Sequence, residues 1–188
     1  MIVVEGPDGS GKTTLAHVLA NDMGREYRRS PSLSSREGGN RAHVDWWREQ
    51  LWGDEAHRMG GVYDRSLLVS EPIYTPVMNR SPLVQAGEYI EMLTRFVSCF
   101  PLIIFCLPPW EQQKENLEDK ASEQLKGLSI KRAALVLWGY YIGQEYWRYL
   151  EELGKLRVLT YDWSNMHEVQ MGVQSYLTDE ANRVGQRA

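Results

Sequence analysis

Two cysteines in 188 residues, Cys99 and Cys106, form no CxxC pattern and are too few for a disulfide framework. The four histidines (His17, His43, His57, His167) stand apart, with no carboxylate or thiol at ligand spacing, which argues against a structural metal site. No apolar run approaches the roughly 20 residues a membrane span needs, and the N-terminus reads as a first strand rather than a secretory leader. Positive charge is not in excess either. The formal net charge is −4 and the pI about 5.6, so the whole chain carries no electrostatic footprint for tight nucleic-acid binding. Repeats and low-complexity tracts are also missing. These absences leave the expectation of a reduced, cytoplasmic chain without membrane contact. At 43% hydrophobic and 24% charged residues, it reads as a single domain over 1–188 that buries its core unaided.

What the chain does contain begins at once. Ile2-Val3-Val4 is a β-branched run that opens directly into GPDGSGKT, Gly6 to Thr13, which fits the phosphate-loop pattern G-x-x-x-x-G-K-[ST] at every fixed position. Lys12 to Met23 follows as a helix with Leu15, Val18 and Leu19 apolar and Gly24 as its stop. Strand, glycine loop and helix together predict a bound nucleoside triphosphate, with Gly6, Asp8, Gly9, Ser10, Gly11, Lys12, Thr13 and Thr14 as the binding set. Backbone N–H groups close on phosphate oxygens, Lys12 reaches the β- and γ-phosphates, and the Thr13 hydroxyl is a ligand for Mg²⁺.

Further on, Glu26 to Arg29 is a weak second strand, followed by the Ser/Gly-rich loop SPSLSSREGGN. Arg41 to Arg58 has the apolar spacing of a helix face at Val44, Trp47 and Leu51. Val62-Tyr63-Asp64 is a third strand. The three prolines of SEPIYTPVMNRSP predict that this stretch is no long regular element, and Ser81-Pro82 reads as the start of a helix to about Ser98. PLIIFCLPP is a central strand, apolar on both faces. Trp110 to Glu123 is a charged helix, Ser129 caps a long one to Leu153, and Leu156 to Tyr161 is a fifth strand. Asn165 and Glu168 are spaced as a capping box for the last helix. The alternation predicts an α/β fold of P-loop NTPase type, a five-stranded parallel sheet flanked by helices.

Ligands of such sheets bind beyond the carboxyl ends of the strands, which selects GPDGSGKT, SSREGG, DRS and LPPW as converging loops. Asp64, at a strand end, can hold Mg²⁺ or its waters, and Arg65 can grip an acceptor phosphate with its forked guanidinium. Arg36-Glu37 offers a second clamp or a plain exposed loop. Lys114, Lys120 and Lys126 could form a cationic flap, or a solvated face, since Glu111, Glu115, Glu118, Asp119 and Glu123 alternate with them. Trp46, Trp47, Trp52 and Tyr74 are candidates for stacking on a base, though aromatics more often pack in cores. A phosphate acceptor needs no general base, whereas a hydroxyl acceptor is helped by one. The second strand ends Arg28-Arg29-Ser30 without an acid, leaving Glu37, Asp8 and Asp64, which tilts the reading toward a phosphate acceptor.

The residues VEGPDGSGKTTLA, SSREGGN, VYDRSLLVSEPIY, LIIFCLPPWEQQKENL and RVLTYDWSNMHEVQMGVQSYL resemble, in order, the motifs of the thymidylate kinase and deoxynucleoside kinase superfamily. That resemblance implies a nucleoside-monophosphate-kinase-like fold with a short lid at about 112–127 and acceptor-binding regions at about 30–60 and 64–82. It implies ATP with Mg²⁺ as donor and a deoxynucleoside monophosphate, dTMP-like, as acceptor. Lys12, Asp64, Arg65 and Asp8 would then be catalytic, with Thr13 and Asp64 on the metal and Asp8 near the acceptor. Arg36, Glu37, Arg65 and Tyr74 would bind the substrate, and a homodimer is a further expectation. The chain departs from the family in lacking its proline after Arg36-Glu37. It also has no arginine in the phosphate loop or between Gln112 and Gly127. Asp-Arg-Ser is nearer to nucleoside kinases than to thymidylate kinases. Two alternatives stay open: a deoxynucleoside kinase, and a phage hypermodification enzyme acting on hydroxymethyl pyrimidines in DNA, with Arg25, Arg28, Arg29, Arg36 and Arg41 along the backbone. In a phage-encoded case the location is the host cytoplasm. A nucleotide-gated binding module is the non-enzymatic reading.

Overall fold

The computed structural model describes residues 1–31, 39–54, 60–120 and 130–185, without the side chains of 39, 40, 117–120 and 184. Five strands, β1 (Ile2–Glu5), β2 (Glu26–Arg29), β3 (Gly61–Asp64), β4 (Leu102–Cys106) and β5 (Arg157–Tyr161), form one parallel sheet in the order β2-β3-β1-β4-β5. Around it lie α1 (Lys12–Asp22), α2 (Gly39–Trp52), α3 (Leu67–Met78), α4 (Ala86–Ser98), α5 (Trp110–Lys120), α6 (Ile130–Glu152) and α7 (Met166–Gly185).

The two-residue period of the strands splits the core in two. Ile2, Val4, Val62, Leu102, Ile104 and Cys106 point to the side covered by α1 and α7, where they meet Leu15, Leu19, Val169, Val173 and Tyr176. Val3, Tyr63, Ile103 and Phe105 point to the other, against Trp47, Leu68, Phe96, Tyr140 and Trp147 from α2, α3, α4 and α6. β1 and β4 are buried on both faces, as their continuous apolar runs predict. Every strand's carboxyl end opens on the same edge, and the order places β1 between β3 and β4. The loops after β1 and β3 are thereby neighbours.

Four sequence expectations need correction. SEPIYTPVMNRSP is largely helical, since α3 runs through Pro72 and Pro76. Pro72 has no N–H for the carbonyl of Leu68, but the Tyr89 hydroxyl donates to that oxygen at 2.7 Å and removes the penalty. The next helix starts at Ala86 with Gln85 as N-cap, not at Ser81-Pro82. The residues between are drawn onto the Glu71 carboxylate, which accepts from the Leu83 N–H at 2.7 Å and from Arg80. Asn165 does not spend its side chain on a capping box: Oδ1 accepts from the Asp162 N–H and Nδ2 donates to the Thr160 carbonyl, bracing the turn after β5. α2 ends at Trp52, short of the expected Arg58. Residues 55–59, and 121–129 with the second half of the lid, lie outside those described.

Candidate functional site

β1 delivers the chain into the phosphate loop, whose curvature depends on two glycines. A Cβ on Gly6 would stand 2.6 Å from the Cys106 carbonyl oxygen, and one on Gly11, at φ +81°, would stand 2.9 Å from Trp163 Nε1. No other residue type fits either place. Gly11 is the N-cap of α1 without a side-chain cap, so the first N–H groups of that helix are free to meet an anion. The loop's carbonyls are held from outside it. Gln113 Nε2 donates to the Asp8 carbonyl at 2.9 Å and Asn116 Nδ2 to that of Gly9 at 3.2 Å, both from α5. Trp163 Nε1 donates to that of Ser10 at 2.7 Å. These three bonds occupy the carbonyls of Asp8, Gly9 and Ser10 from outside the loop. Gln113, Asn116 and Trp163 escape the sequence reading. The only hint is the three-residue spacing of the two amides, one helical turn apart on a face otherwise rich in charge.

Thr13 and Asp64 come together as the motif requires. The Thr13 hydroxyl donates to Asp64 Oδ2 at 2.8 Å, and the Tyr27 hydroxyl, from β2, donates to the same oxygen at 2.9 Å. Asp64 Oδ1 is buried and has no hydrogen-bond partner. An acceptor oxygen left in that state is costly unless a cation or its water takes it. The donor set of one hydroxyl and one carboxylate is one that would hold Mg²⁺, a hard cation that takes oxygen ligands. Among the described residues no group of three or more His, Cys, Asp or Glu could cage a metal instead. Tyr27 is a fourth residue invisible from sequence, because only strand pairing brings β2 beside β3.

On the other side of the loop lies a charge cluster. Arg65 occupies the left-handed region at φ +75°, and its Nη2 donates to Asp8 Oδ1 at 2.9 Å and to the Gly6 carbonyl at 3.4 Å. Its guanidinium lies over the Tyr74 ring, 4.9 Å from the centroid. Lys12 Nζ donates to the Pro7 carbonyl at 3.2 Å and lies 3.5 Å from Asp8 Oδ1. Burial, and then the neighbouring Arg65, lower the Lys12 pKa to about 8. Burial alone would raise Asp8, but Arg65 and Lys12 outweigh it and hold its carboxyl below the usual range. Glu5, at the end of β1, is entirely buried beneath this cluster, which raises its carboxyl to about 7.

These residues line one cavity of about 270 Å³, which runs from Asp8, Lys12, Thr13 and Asp64 past Arg65 and Tyr74 to Arg29, His43, Ser70, Glu71 and Arg80. At the far end Glu71 is nearly buried and its oxygens take Thr75 Oγ1, the Leu83 N–H and both Nη atoms of Arg80. His43 Nδ1 lies 2.9 Å from the Pro31 carbonyl. A carbonyl only accepts, so Nδ1 carries the proton. Burial pushes the ring below the usual imidazole range, which leaves Nε2 as an acceptor in the neutral ring.

Of the sequence candidates, Asp8, Lys12, Thr13, Asp64, Arg65 and Tyr74 are gathered at the cavity, and Thr14 is exposed on the first turn of α1. Arg36, Glu37 and Lys126, with the side chain of Lys120, lie outside the described residues; Lys114 is half-buried on α5. Among the aromatics weighed for stacking, Trp47 is core, Trp46 packs against it and Trp52 is about half exposed, so Tyr74 is the one at the cavity. Of the arginines considered for a DNA track, Arg25 pairs with Glu180 at 2.6 Å, Arg28 with Glu26 at 2.6 Å and Arg41 with Asp45 at 2.9 Å, Arg29 lines the cavity, and Arg36 lies outside the described residues.

No protein-family model matches the chain. Among curated proteins, the Holliday junction branch migration complex subunit RuvB of Salinibacter ruber is 38% identical over 69 residues, 35% of this chain and 20% of that protein. RuvB of Kosmotoga olearia matches to the same extent. The chain thus spans about a fifth of the length of the curated relatives it matches. Solved structures match along nearly all of it. The Bacillus subtilis YorR protein, in complex with phosphorylated GDP, superposes with a TM-score of 0.68 at 14% identity, over 97% of this chain and 96% of that one. Deoxyadenosine kinase from M. mycoides with bound dATP gives 0.58 at 12% identity, over 95% and 98%. Shikimate kinase from Acinetobacter baumannii in complex with shikimate gives 0.56 at 15%, over 95% and 93%. Identities this low speak for architecture alone, and together with the phosphate loop and the strand order they lead to one conclusion: the fold is that of the P-loop kinases.

Proposed function

We propose that the protein is an ATP- and Mg²⁺-dependent kinase that phosphorylates a deoxynucleoside monophosphate, dTMP-like, to the diphosphate. The observation that carries this reading is the guanidinium of Arg65 in the same cavity as Lys12 and the Thr13–Asp64 pair. A cation beyond the phosphate loop, facing into an acceptor-sized cavity, suits an acceptor that is itself an anion. The α1 N-terminus and the loop amides hold the triphosphate, and Lys12 moves from the Pro7 carbonyl and Asp8 onto the β- and γ-phosphates. Mg²⁺, when bound at Thr13 and Asp64, neutralises charge that builds up during transfer. Arg65 leaves Asp8 to hold the acceptor phosphate, whose ionised oxygen attacks in line without a general base. Tyr74 forms a wall of the acceptor site, and Arg36, Glu37 and the lid lysines Lys114, Lys120 and Lys126 remain candidates for closing around the transferred group.

The nucleotide complexes of YorR and deoxyadenosine kinase support a nucleotide-like acceptor or donor here as well. The internal pairing of Arg25, Arg28 and Arg41 speaks against DNA as the acceptor. A homodimer is supported by α6, which exposes Leu135, Trp138, Ile142, Tyr146 and Tyr149 at the three- and four-residue spacing of a helix–helix seam. No helix among the described residues is long and apolar enough to cross a membrane.

An acceptor panel tests the proposal. The protein is given labelled ATP and Mg²⁺ with deoxynucleosides, their monophosphates, and oligonucleotides carrying hydroxymethyl pyrimidines. ADP release that depends on a monophosphate is the expected outcome. Label on a nucleoside alone, or on the oligonucleotide alone, would replace the acceptor.

A further inference from the structure

The carboxylate of Glu5 is fully buried at the end of β1, and Glu5 is not among the residues that line the cavity. It accepts hydrogen bonds from two elements far from each other in sequence: the backbone N–H of Ser66, directly after Arg65, and the hydroxyl of Tyr140 on α6, at 3.0 Å. Ser66 in turn is the N-cap of α3, its hydroxyl accepting from the Leu68 N–H at 3.2 Å. Between β3 and that cap stands Arg65, a non-glycine residue in the left-handed region. Such a conformation is strained and persists only where surrounding bonds over-determine it. The bonds that do so are the Arg65 N–H to the Val4 carbonyl at 2.9 Å and the Ser66 N–H to Glu5.

Resting on the reading that Arg65 holds the acceptor phosphate, we propose that Glu5 is its positioning residue, fixing the Arg65–Ser66 turn so that the guanidinium is aimed into the cavity. Tyr140 anchors the opposite carboxylate oxygen and itself packs edge-on against Tyr74 at 6.3 Å, the ring on which Arg65 lies. One buried carboxylate therefore connects β1, the turn that presents Arg65, and the helix that follows the lid segment.

The same carboxylate is a charge beneath an anion site. The groups that face it are Arg65, Lys12 from α1, Tyr74 from α3, Tyr140 from α6 and Cys106 from β4. Burial raises its pKa to about 7, opposed by Arg65. An acceptor phosphate that claims Arg65 removes part of this opposition and raises the pKa further, so binding takes up a proton. By linkage, affinity for the phosphate falls as pH rises through about 7, because the ionised carboxylate then competes with the ligand for Arg65.

Calorimetric binding of dTMP without ATP, at about pH 6 and about pH 8, reads both properties. Glu5→Gln preserves an oxygen for Ser66 and a polar group for Tyr140, but cannot ionise. Glu5→Ala loses both contacts. The ligand's own phosphate titrates identically with every variant, so the ratio to wild type isolates Glu5. We expect Glu5→Ala to weaken dTMP binding by about tenfold. Glu5→Gln should bind at least as tightly as wild type at about pH 8 and lose the wild-type proton uptake. A Glu5→Gln protein with the wild-type pH profile overturns the inference, even if Glu5→Ala fails to fold. So does a folded Glu5→Ala with wild-type affinity beside a weakened Arg65→Ala. Unchanged affinity in Arg65→Ala itself overturns the acceptor reading and this inference with it.

Discussion

The phosphate loop is drawn from one unbroken stretch of chain and would meet a ligand with backbone, whereas the cavity proposed for the acceptor is lined by side chains from β2, α2, β3, α3 and the segment leading to α4. In the first region side chains act from outside: Gln113, Asn116 and Trp163 hold the carbonyls of Asp8, Gly9 and Ser10. In the second, ions are arranged in pairs, Arg65 with Asp8 and Arg80 with Glu71. A site made of backbone is rigid and reads any polyphosphate. One made of side chains can be retuned by single substitutions, so specificity belongs there.

That contrast can be broken by experiment, and the largest effect falls where the two regions meet. Lys12→Ala and Asp64→Ala should each lower turnover by about 10²–10³-fold or more, because both remove charge stabilisation that backbone amides cannot replace; ADP release under saturating ATP is the readout. Arg65→Ala should raise the KM of a monophosphate acceptor by about 10²-fold while ATP affinity changes little, and Arg65→Lys should recover only part of it, since an ammonium is a point charge rather than a fork. Equal losses for both substrates would show that the regions are not separable.

A third outcome concerns pH. The folded-state pKa of Glu5 is raised from 4.5 to about 7 by burial, so its contribution to stability is complete below about 4.5 and is lost as pH rises through about 7. Between about pH 5 and pH 8 wild type should lose on the order of 3 kcal/mol relative to Glu5→Gln, measured by urea unfolding at each pH. Backbone substitutions in the phosphate loop should act on folding as much as on binding. Gly11→Ala meets both the left-handed φ and Trp163 Nε1, and should cost about 1–3 kcal/mol as a lowered urea midpoint at unchanged slope. The smallest effect expected is that of Gln113→Ala, about fivefold in the KM for ATP, the worth of one neutral hydrogen bond. A larger loss would mean that Gln113 orders the whole loop.

The prolines of α3 show where reading by residue type misleads. Pro72 and Pro76 count against a helix when each is taken alone, yet the penalty disappears when Tyr89, from the next helix, supplies the donor that Pro72 lacks. The start of α4 fails for a related reason. Ser81-Pro82 is a sound local signal, but the segment is tied to α3 instead, with the Glu71 carboxylate accepting from the Leu83 N–H and from Arg80, and the helix begins at Ala86. By contrast, Val44, Trp47 and Leu51 are buried as their spacing predicts, because a helix face repeats within a few residues.

The amino-acid sequence alone determined the phosphate loop, the helix it caps and the two-sided burial of β1 and β4. Each of these is written in consecutive residues and depends on local sterics or a short period. Thr13 and Asp64 were also legible as partners, because strand ends in a parallel sheet share one edge. Tertiary structure decided the rest: Tyr27 on the Asp64 carboxylate, Glu5 under Arg65, Gln113 and Trp163 on the loop carbonyls, and the His43 and Glu71–Arg80 end of the cavity. Their partners lie on different elements, and what brings them together is the strand order and the packing of helices against both faces of the sheet, which no local pattern encodes.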